Sequence, residues 1–342
     1  MKKIFAILAG AALLGSCCGS CPEVSPLQVD GTQLCYAESG EPAVFHGISF
    51  GWHTLWPRFC NAEAVRNLNA ATGAVLFRAA IGSDDFALKW NPGCDHGYIE
   101  DKDLALKCFD AIAEGAISCG AYVIADWHSH LSHPEQAAEF FDYVSKKYAD
   151  CPNVIYELFN EPVCFSFEAD TENGYGDLGN PEAMKAYWQH LKKYSEDLIA
   201  LITANSHVHP LILVGCPSWD QRIDLPAEDP ITCYDNLMYT VHFYAGTHKD
   251  DLRAACDAAL AKGAPIFISE CACCDASGDG EMDLESWALW SGWADANGIS
   301  MVTWSIGDKD ETCSMFTPEA SSEGPWGEEV LKPWTKIVYD WI

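Results

Sequence analysis

Eight short apolar runs, separated by helical stretches, recur from residue 43 to the end of the chain, and this alternation constrains the fold more than any other feature. The runs cover residues 43–50, 74–81, 121–128, 154–159, 211–215, 238–244, 265–270 and 300–306. They are rich in β-branched residues and nearly free of charge, as strands buried on both faces of a parallel sheet are. Between and after them, residues 61–71, 103–119, 134–148, 181–203, 250–261, 284–296 and 328–342 read as helices. Strands alternating with helices predict an α/β fold, and eight such units predict a single (β/α)8 TIM barrel, with its active site at the carboxyl ends of the strands. The 342 residues, 49% of them hydrophobic, suffice for one large core.

The polar residues best suited to chemistry fall at or near the carboxyl ends of these runs. Residues 153–162 read Asn-Val-Ile-Tyr-Glu-Leu-Phe-Asn-Glu-Pro, so a buried strand delivers Asn160 and Glu161 before Pro162 stops it. Residues 265–270, Pro-Ile-Phe-Ile-Ser-Glu, end on a second acid, Glu270. Arg78 stands inside the second run, where a buried guanidinium requires carboxylate partners. His128, His242, Tyr244 and Trp304 lie at or near the same ends of other runs. Two carboxylates above one sheet suit glycoside hydrolysis, which needs a proton donor on one side of the scissile bond and negative charge on the other.

The formal charge of −30 disfavours nucleic acid and anionic membrane surfaces as partners. A neutral polymer is not repelled. Lys2 and Lys3, followed by an apolar stretch over residues 4–14, form a signal-peptide pattern over residues 1–16. Leu14-Gly15-Ser16-Cys17 resembles a bacterial lipoprotein box, so Cys17 is the expected lipidation site of an exported protein anchored at the cell surface or outer membrane; a secreted or periplasmic protein with an incidental cysteine there is the alternative. Residues 17–28 are the expected tether and residues 29–342 the catalytic barrel. Seventeen cysteines invite a disulfide framework, but Cys108, Cys119 and Cys256 fall in apolar helical stretches, where cysteine packs as a small hydrophobe. Cys271, Cys273 and Cys274 lack a matching pair at zinc-finger spacing and read as packing or local disulfides. The long loop at 163–180, rich in Asp, Glu and Gly, has the length of a functional segment.

With these motifs in hand, the sequence resembles glycoside hydrolase family 5, and within it the bacterial endoglucanases of subfamily 2. The resemblance runs from about Val29 to the C-terminus. It is carried by Phe-Arg-Ala-Ala (77–80), Tyr-Val-Ile-Ala-Asp-Trp-His (122–128), the 153–162 segment, Met-Tyr-Thr-Val-His-Phe-Tyr-Ala-Gly-Thr-His (238–248), Asp-Ala-Ser-Gly-Asp-Gly (275–280) and Trp-Ser-Ile-Gly-Asp-Lys (304–309). It implies a retaining endo-β-1,4-glucanase acting on cellulose-type or mixed-linkage β-glucan, with Glu161 as acid/base and Glu270 as nucleophile. It further implies that Asn160 binds the sugar 2-hydroxyl, that Arg78 and Tyr244 keep Glu270 ionised, and that His128 and His242 line the reacting subsite. Trp304 is the implied platform under the reacting sugar, Trp219 a contact on the leaving-group side, and Lys309 and Glu311 contacts on the non-reducing side. The chemistry asks for a Glu161 pKa raised and a Glu270 pKa lowered. Around His53 the segment Phe-Gly-Trp-His-Thr-Leu-Trp departs from the commoner Thr-His-Gly pattern, leaving open which of Trp52, His53 and Trp56 meet substrate. Cys271-Ala-Cys-Cys replaces the usual aromatic-glycine start after the nucleophile.

No cofactor or essential metal is expected, and the protein is expected to act as a monomer. Related polymers, mannan and xyloglucan, remain alternatives because loops discriminate them. A metal-dependent amidohydrolase is a weaker reading of His128-Ser-His130, since no lysine or aspartate set accompanies it at later strand ends. A non-catalytic glycan-binding lipoprotein would not need both Glu161 and Glu270.

Overall fold

The computed structural model describes residues 23–89, 91–163 and 180–342. The signal segment, Cys17, residues 17–22 of the tether and residues 164–179 of the long loop lie outside the described residues. Eight parallel strands close into a barrel: β3 (His46–Phe50), β4 (Leu76–Gly82), β5 (Tyr122–His128), β6 (Val154–Glu157), β7 (Ile212–Val214), β8 (Leu237–Tyr244), β9 (Ile266–Ala272) and β10 (Met301–Ile306). β10 pairs with β3 and completes the ring. Each expected run coincides with one of these strands, β4, β8 and β9 extending one or two residues beyond it.

The helices α1 (Ala62–Thr72), α2 (Lys102–Ser118), α3 (Pro134–Lys147), α4 (Pro181–Asn205), α7 (Asp250–Ala261), α8 (Leu284–Ala296) and α9 (Pro333–Trp341) occupy the expected positions. Asn61, Asp101, Asn180 and Asp283 cap α1, α2, α4 and α8 by accepting from first-turn N–H groups. The last helix begins at Pro333, not at residue 328. Glu328–Val330 is a separate 3₁₀ turn, and proline is favoured at the first helical position because it has no N–H to satisfy. Two short elements, α5 (Pro217–Asp220) and α6 (Asp224–Glu228), fill the β7–β8 connection.

A hairpin of β1 (Leu27–Asp30) and β2 (Gln33–Tyr36) precedes the barrel. Two residues expected in the tether, Leu27 and Gln28, are therefore strand. The two-residue turn Gly31-Thr32, with Gly31 at φ 62°, is the local signal for it. Leu27 and Leu34 pack with Leu76, Tyr122, Ile124, Ile155, Leu213, Met238, Phe267 and Val302 into one apolar cluster that fills the amino-terminal end of the barrel interior. Asn236, at the start of β8, fastens the hairpin there by accepting from Val29 N–H (2.9 Å) and donating to the Leu27 carbonyl (2.9 Å).

Candidate active site

Two residues beyond the apolar plug, the same strands turn polar. Side chains at i and i+2 share one face of a strand, so Leu76 is followed inward by Arg78, Ile124 by Asp126 and Ile155 by Glu157. Arg78 is fully buried. Its Nε and Nη2 donate to Glu157 (2.7 and 3.0 Å), Nη1 to Glu270 (2.8 Å) and Nη2 to Asn160 Oδ1 (2.6 Å), while Asp126 lies 3.0 Å from Nη2. The partners that a buried arginine demands are thus three acids. Arg78 is deeper than the rim, third in its seven-residue strand.

Glu270 reaches this floor through an irregularity. Between Thr240 and His242 on β8 there is one residue, whereas their partners Phe267 and Glu270 are separated by two, and the same mismatch occurs against β10. The extra residue in β9 is a bulge, which turns both Ser269 and Glu270 inward. Ser269 donates to Glu157 (2.7 Å), so towards His242 Nε2 (2.9 Å) its oxygen accepts. Tyr244 donates to the other Glu270 oxygen at 2.7 Å.

Glu161 sits across the cleft, just past β6. Its two oxygens meet two histidines: Oε1 faces His242 Nδ1 at 3.0 Å and Oε2 faces His130 Nε2 at 3.1 Å. One carboxyl oxygen of Glu161, one of Glu270 and a ring nitrogen of His242 all lie within 4.8 Å of one another. Gly215 makes room for the segment: a Cβ there would run into the Phe159 carbonyl and stand 3.0 Å from the Pro162 ring.

Charge in the empty cleft is distributed differently from the expectation. Burial pushes Glu161 up, but the hydrogen bonds from His130 and His242 outweigh it and hold the carboxyl well below the ordinary range. Burial and the neighbouring charge of Glu161 raise Glu270, against the pull of His242 and Arg78. Burial also raises Glu157, but Arg78 and His242 carry it down to about 2. Burial opposes a charge on His242, and Asp220, Glu157 and Glu161 more than restore it. Two ionised acids, Glu157 and Glu161, therefore face two cations, Arg78 and His242. The two catalytic candidates thus lie under opposite influences in the empty cleft: two histidines hold Glu161 down, while burial and the charge of Glu161 raise Glu270.

A cleft of about 260 Å³ opens above this floor. Trp304 forms one side and stacks on His128 at 5.3 Å and 10°. Burial, reinforced by Arg78, keeps His128 neutral, with Nδ1 2.7 Å from Asp126. Lys309 and Glu311 form an ion pair at the cleft edge. Of the three residues left open by sequence, Trp52 and Trp56 line the cleft. His53 does not: it is fully buried, burial lowers it to about 4, and its Nδ1 accepts from Gly82 N–H at 2.9 Å. Trp219 is not among the residues lining this cleft; it lies on the left-handed turn 218–220, its backbone N–H donating to the carbonyl of Pro162, the residue after Glu161 (3.3 Å). Cys271, Cys273 and Cys274 are buried free thiols, and Cys271 donates to the Val302 carbonyl. His128 and His130 engage different carboxylates, with rings 6.3 Å apart at 89°, unlike a converging ligand pair.

Residues 36–310 match the family model for cellulase, glycosyl hydrolase family 5. The chain belongs to glycosyl hydrolase family 5. It is 34% identical over 300 residues to Endoglucanase A of Evansella cellulosilytica, covering 86% of this chain and 55% of that protein. With Endoglucanase Z of Dickeya dadantii it shares 30% over 350 residues, covering 99% of this chain and 73% of the relative. It thus spans about half to three quarters of these relatives' length. A solved structure from Cytophaga hutchinsonii superposes with a TM-score of 0.80 at 34% identity, covering 92% of this chain and 93% of the other.

Sequence reasoning left several residues of this family 5 site without a role. Asp126 and Glu157 were visible as charges within apolar runs, the signal that singled out Arg78. Asp220 is buried 3.3 Å from His242 Nε2, delivered by the left-handed turn, and had no sequence signal. Phe86 joins Trp52 on the cleft wall from the loop after β4. His130 was read only as half of a histidine pair.

Proposed function

We propose that this chain is a retaining endo-β-1,4-glucanase, with Glu161 as general acid/base and Glu270 as nucleophile. The observation that carries the reading is that one carboxyl oxygen of Glu161 lies within 4.8 Å of one of Glu270, which fits the separation of about 5–5.5 Å between the carboxyls of retaining glycosidases better than the wider gap that admits water in inverting ones. Glu161 protonates the glycosidic oxygen as Glu270 attacks the anomeric carbon, the leaving sugar departs with that proton, and a glycosyl ester forms. Glu161, now a carboxylate, takes a proton from water as the ester is cleaved. Arg78 and Tyr244 bind the two oxygens of Glu270 and stabilise its charge when it is the leaving group. Asn160 accepts from Arg78 through Oδ1, and its buried Nδ2 has no partner among the described residues, which fits a donor kept for the sugar 2-hydroxyl.

Trp304, Trp52 and Trp56 offer aromatic faces to pyranose rings along the cleft. The endoglucanase names of the relatives favour β-1,4-glucan over mannan or xyloglucan. The basic and apolar pattern of residues 1–16 supports export with lipidation at Cys17, and the intact mass of the amino-terminal peptide tests it. For the activity, the test is cleavage of cellopentaose, mixed-linkage β-glucan and mannopentaose by residues 23–342. Internal cleavage of the gluco-substrates, abolished by Glu270→Gln, is the expected result; preference for mannopentaose contradicts the substrate assignment.

A further inference from the structure

Both oxygens of the acid/base carboxyl are occupied in the empty cleft, yet one must face the glycosidic oxygen for proton transfer. The two histidines that occupy them are not equivalent. His242 has a side chain only 2% exposed, and both its nitrogens are engaged, Nδ1 by Glu161 and Nε2 by Ser269 and Asp220. His130 has a side chain 17% exposed on the cleft wall, its ring 5.7 Å from Trp52 and 5.2 Å from Phe86. The oxygen that can be released is therefore Oε2.

Resting on the catalytic reading above, we propose that His130 is a positioning residue that guards Glu161 Oε2 in the empty cleft and yields it to the glycosidic oxygen when substrate enters. The shift of His130 is a side-chain rotation along the Trp52 and Phe86 wall, without the backbone movement that the buried His242 would require. Its consequence is electrostatic: while His130 is in place it favours the Glu161 carboxylate, and on its departure only His242 still opposes burial, so the carboxyl moves towards the protonated acid that cleavage requires. The titratable groups facing this carboxyl are His128 and His130 from β5 and its loop, Asp220 after β7, His242, Tyr244 and His248 from β8 and its turn, and Glu270 from β9. Asp84 faces His130 from the loop after β4. Of these, His130 alone combines contact with Oε2 and a place on the open wall.

The test is a pH series of kcat and kcat/KM on cellopentaose for wild type, His130→Ala and His130→Gln. The kcat/KM profile reports the free enzyme and the kcat profile the complex. In wild type the basic limb of kcat/KM should lie below that of kcat. His130→Ala should raise the kcat/KM limb by about one pH unit and leave the kcat limb in place, a shift typical of removing one close partner from a carboxylate. His130→Gln, which keeps a donor without a titratable ring, should fall between. The proposal is overturned if neither limb moves in His130→Ala, or if kcat and kcat/KM drop by one factor at every pH, as a merely structural loss would produce. Failure of the catalytic reading appears separately, as cleavage that survives Glu270→Gln. That outcome also removes the role assigned to Oε2.

Discussion

The two ends of the barrel interior are built from the same strands and have opposite chemistry. At the amino-terminal end Leu76, Ile124, Ile155 and Met238 close against the β1–β2 hairpin in an apolar plug. Two residues further along, Arg78, Asp126 and Glu157, joined by His242 four residues beyond Met238, form a buried charged network that opens into the cleft. A strand advances about 3.3 Å per residue, so the change from oil to charge takes roughly 7 Å. The lesson is a division of labour. The plug contributes burial and can lose stability without touching the chemistry. The network tolerates a costly set of buried charges because each is paired, and losing one partner affects both folding and catalysis.

Substitutions at the two ends should separate these roles. Glu270→Gln should have the largest effect on activity, cutting kcat by at least about 10³-fold while the protein still folds, measured on cellopentaose beside a thermal melt. Arg78→Met should destabilise by about 3–5 kcal/mol, because Asp126, Glu157 and Glu270 then face one another unpaired, and kcat should fall with it. Leu76→Ala, two residues away, should cost a similar 2–5 kcal/mol or so through the cavity it leaves, with kcat of the folded protein retained. Denaturant unfolding and kcat measured on one preparation distinguish the pair; equal loss of kcat in both would break the comparison.

Acid should act on the network and spare the plug. Glu157 titrates at about 2 in the folded chain against an ordinary value of 4.5. The unfolded chain therefore binds more protons between these limits, and the contribution of Glu157 is fully present above pH 4.5 and lost as pH falls through 2. Its size is roughly 3 kcal/mol, at 1.36 kcal/mol for each pH unit. Glu157→Gln should be less stable than wild type at pH 7, and the gap should close towards pH 2. Gly215→Ala should have the smallest effect, about 1–3 kcal/mol from overpacking against the Phe159 carbonyl, with a matching fall in kcat as Asn160 and Glu161 shift.

What could be read from the sequence was whatever a strand pattern makes anomalous. Arg78 within Phe-Arg-Ala-Ala announced buried acids, and Glu161 and Glu270 stood out as acids ending apolar runs. The hidden parts depend on pairing and distance. Nothing in Ile-Phe-Ile-Ser-Glu marks a bulge; it arises because β8 and β10 both pair with one residue fewer, and without it Ser269 and Glu270 would point to opposite faces. The clamp on Glu161 joins residues 31 and 81 positions away, and it holds that acid low in the empty cleft, where proton donation asks for a raised one. His53 looked eligible for the cleft by position, yet Gly82 N–H holds it in the core while Trp52 and Trp56 on either side reach the opening.

The central claim is that Glu161 and Glu270 stand at the spacing of a double displacement, and the anomeric configuration of the first products tests it most directly. Proton NMR during the opening minutes of cellopentaose cleavage should show the β-anomer at the new reducing end, followed by slow mutarotation. If the α-anomer appears first, water has entered between the two acids, and Glu270 is not the nucleophile.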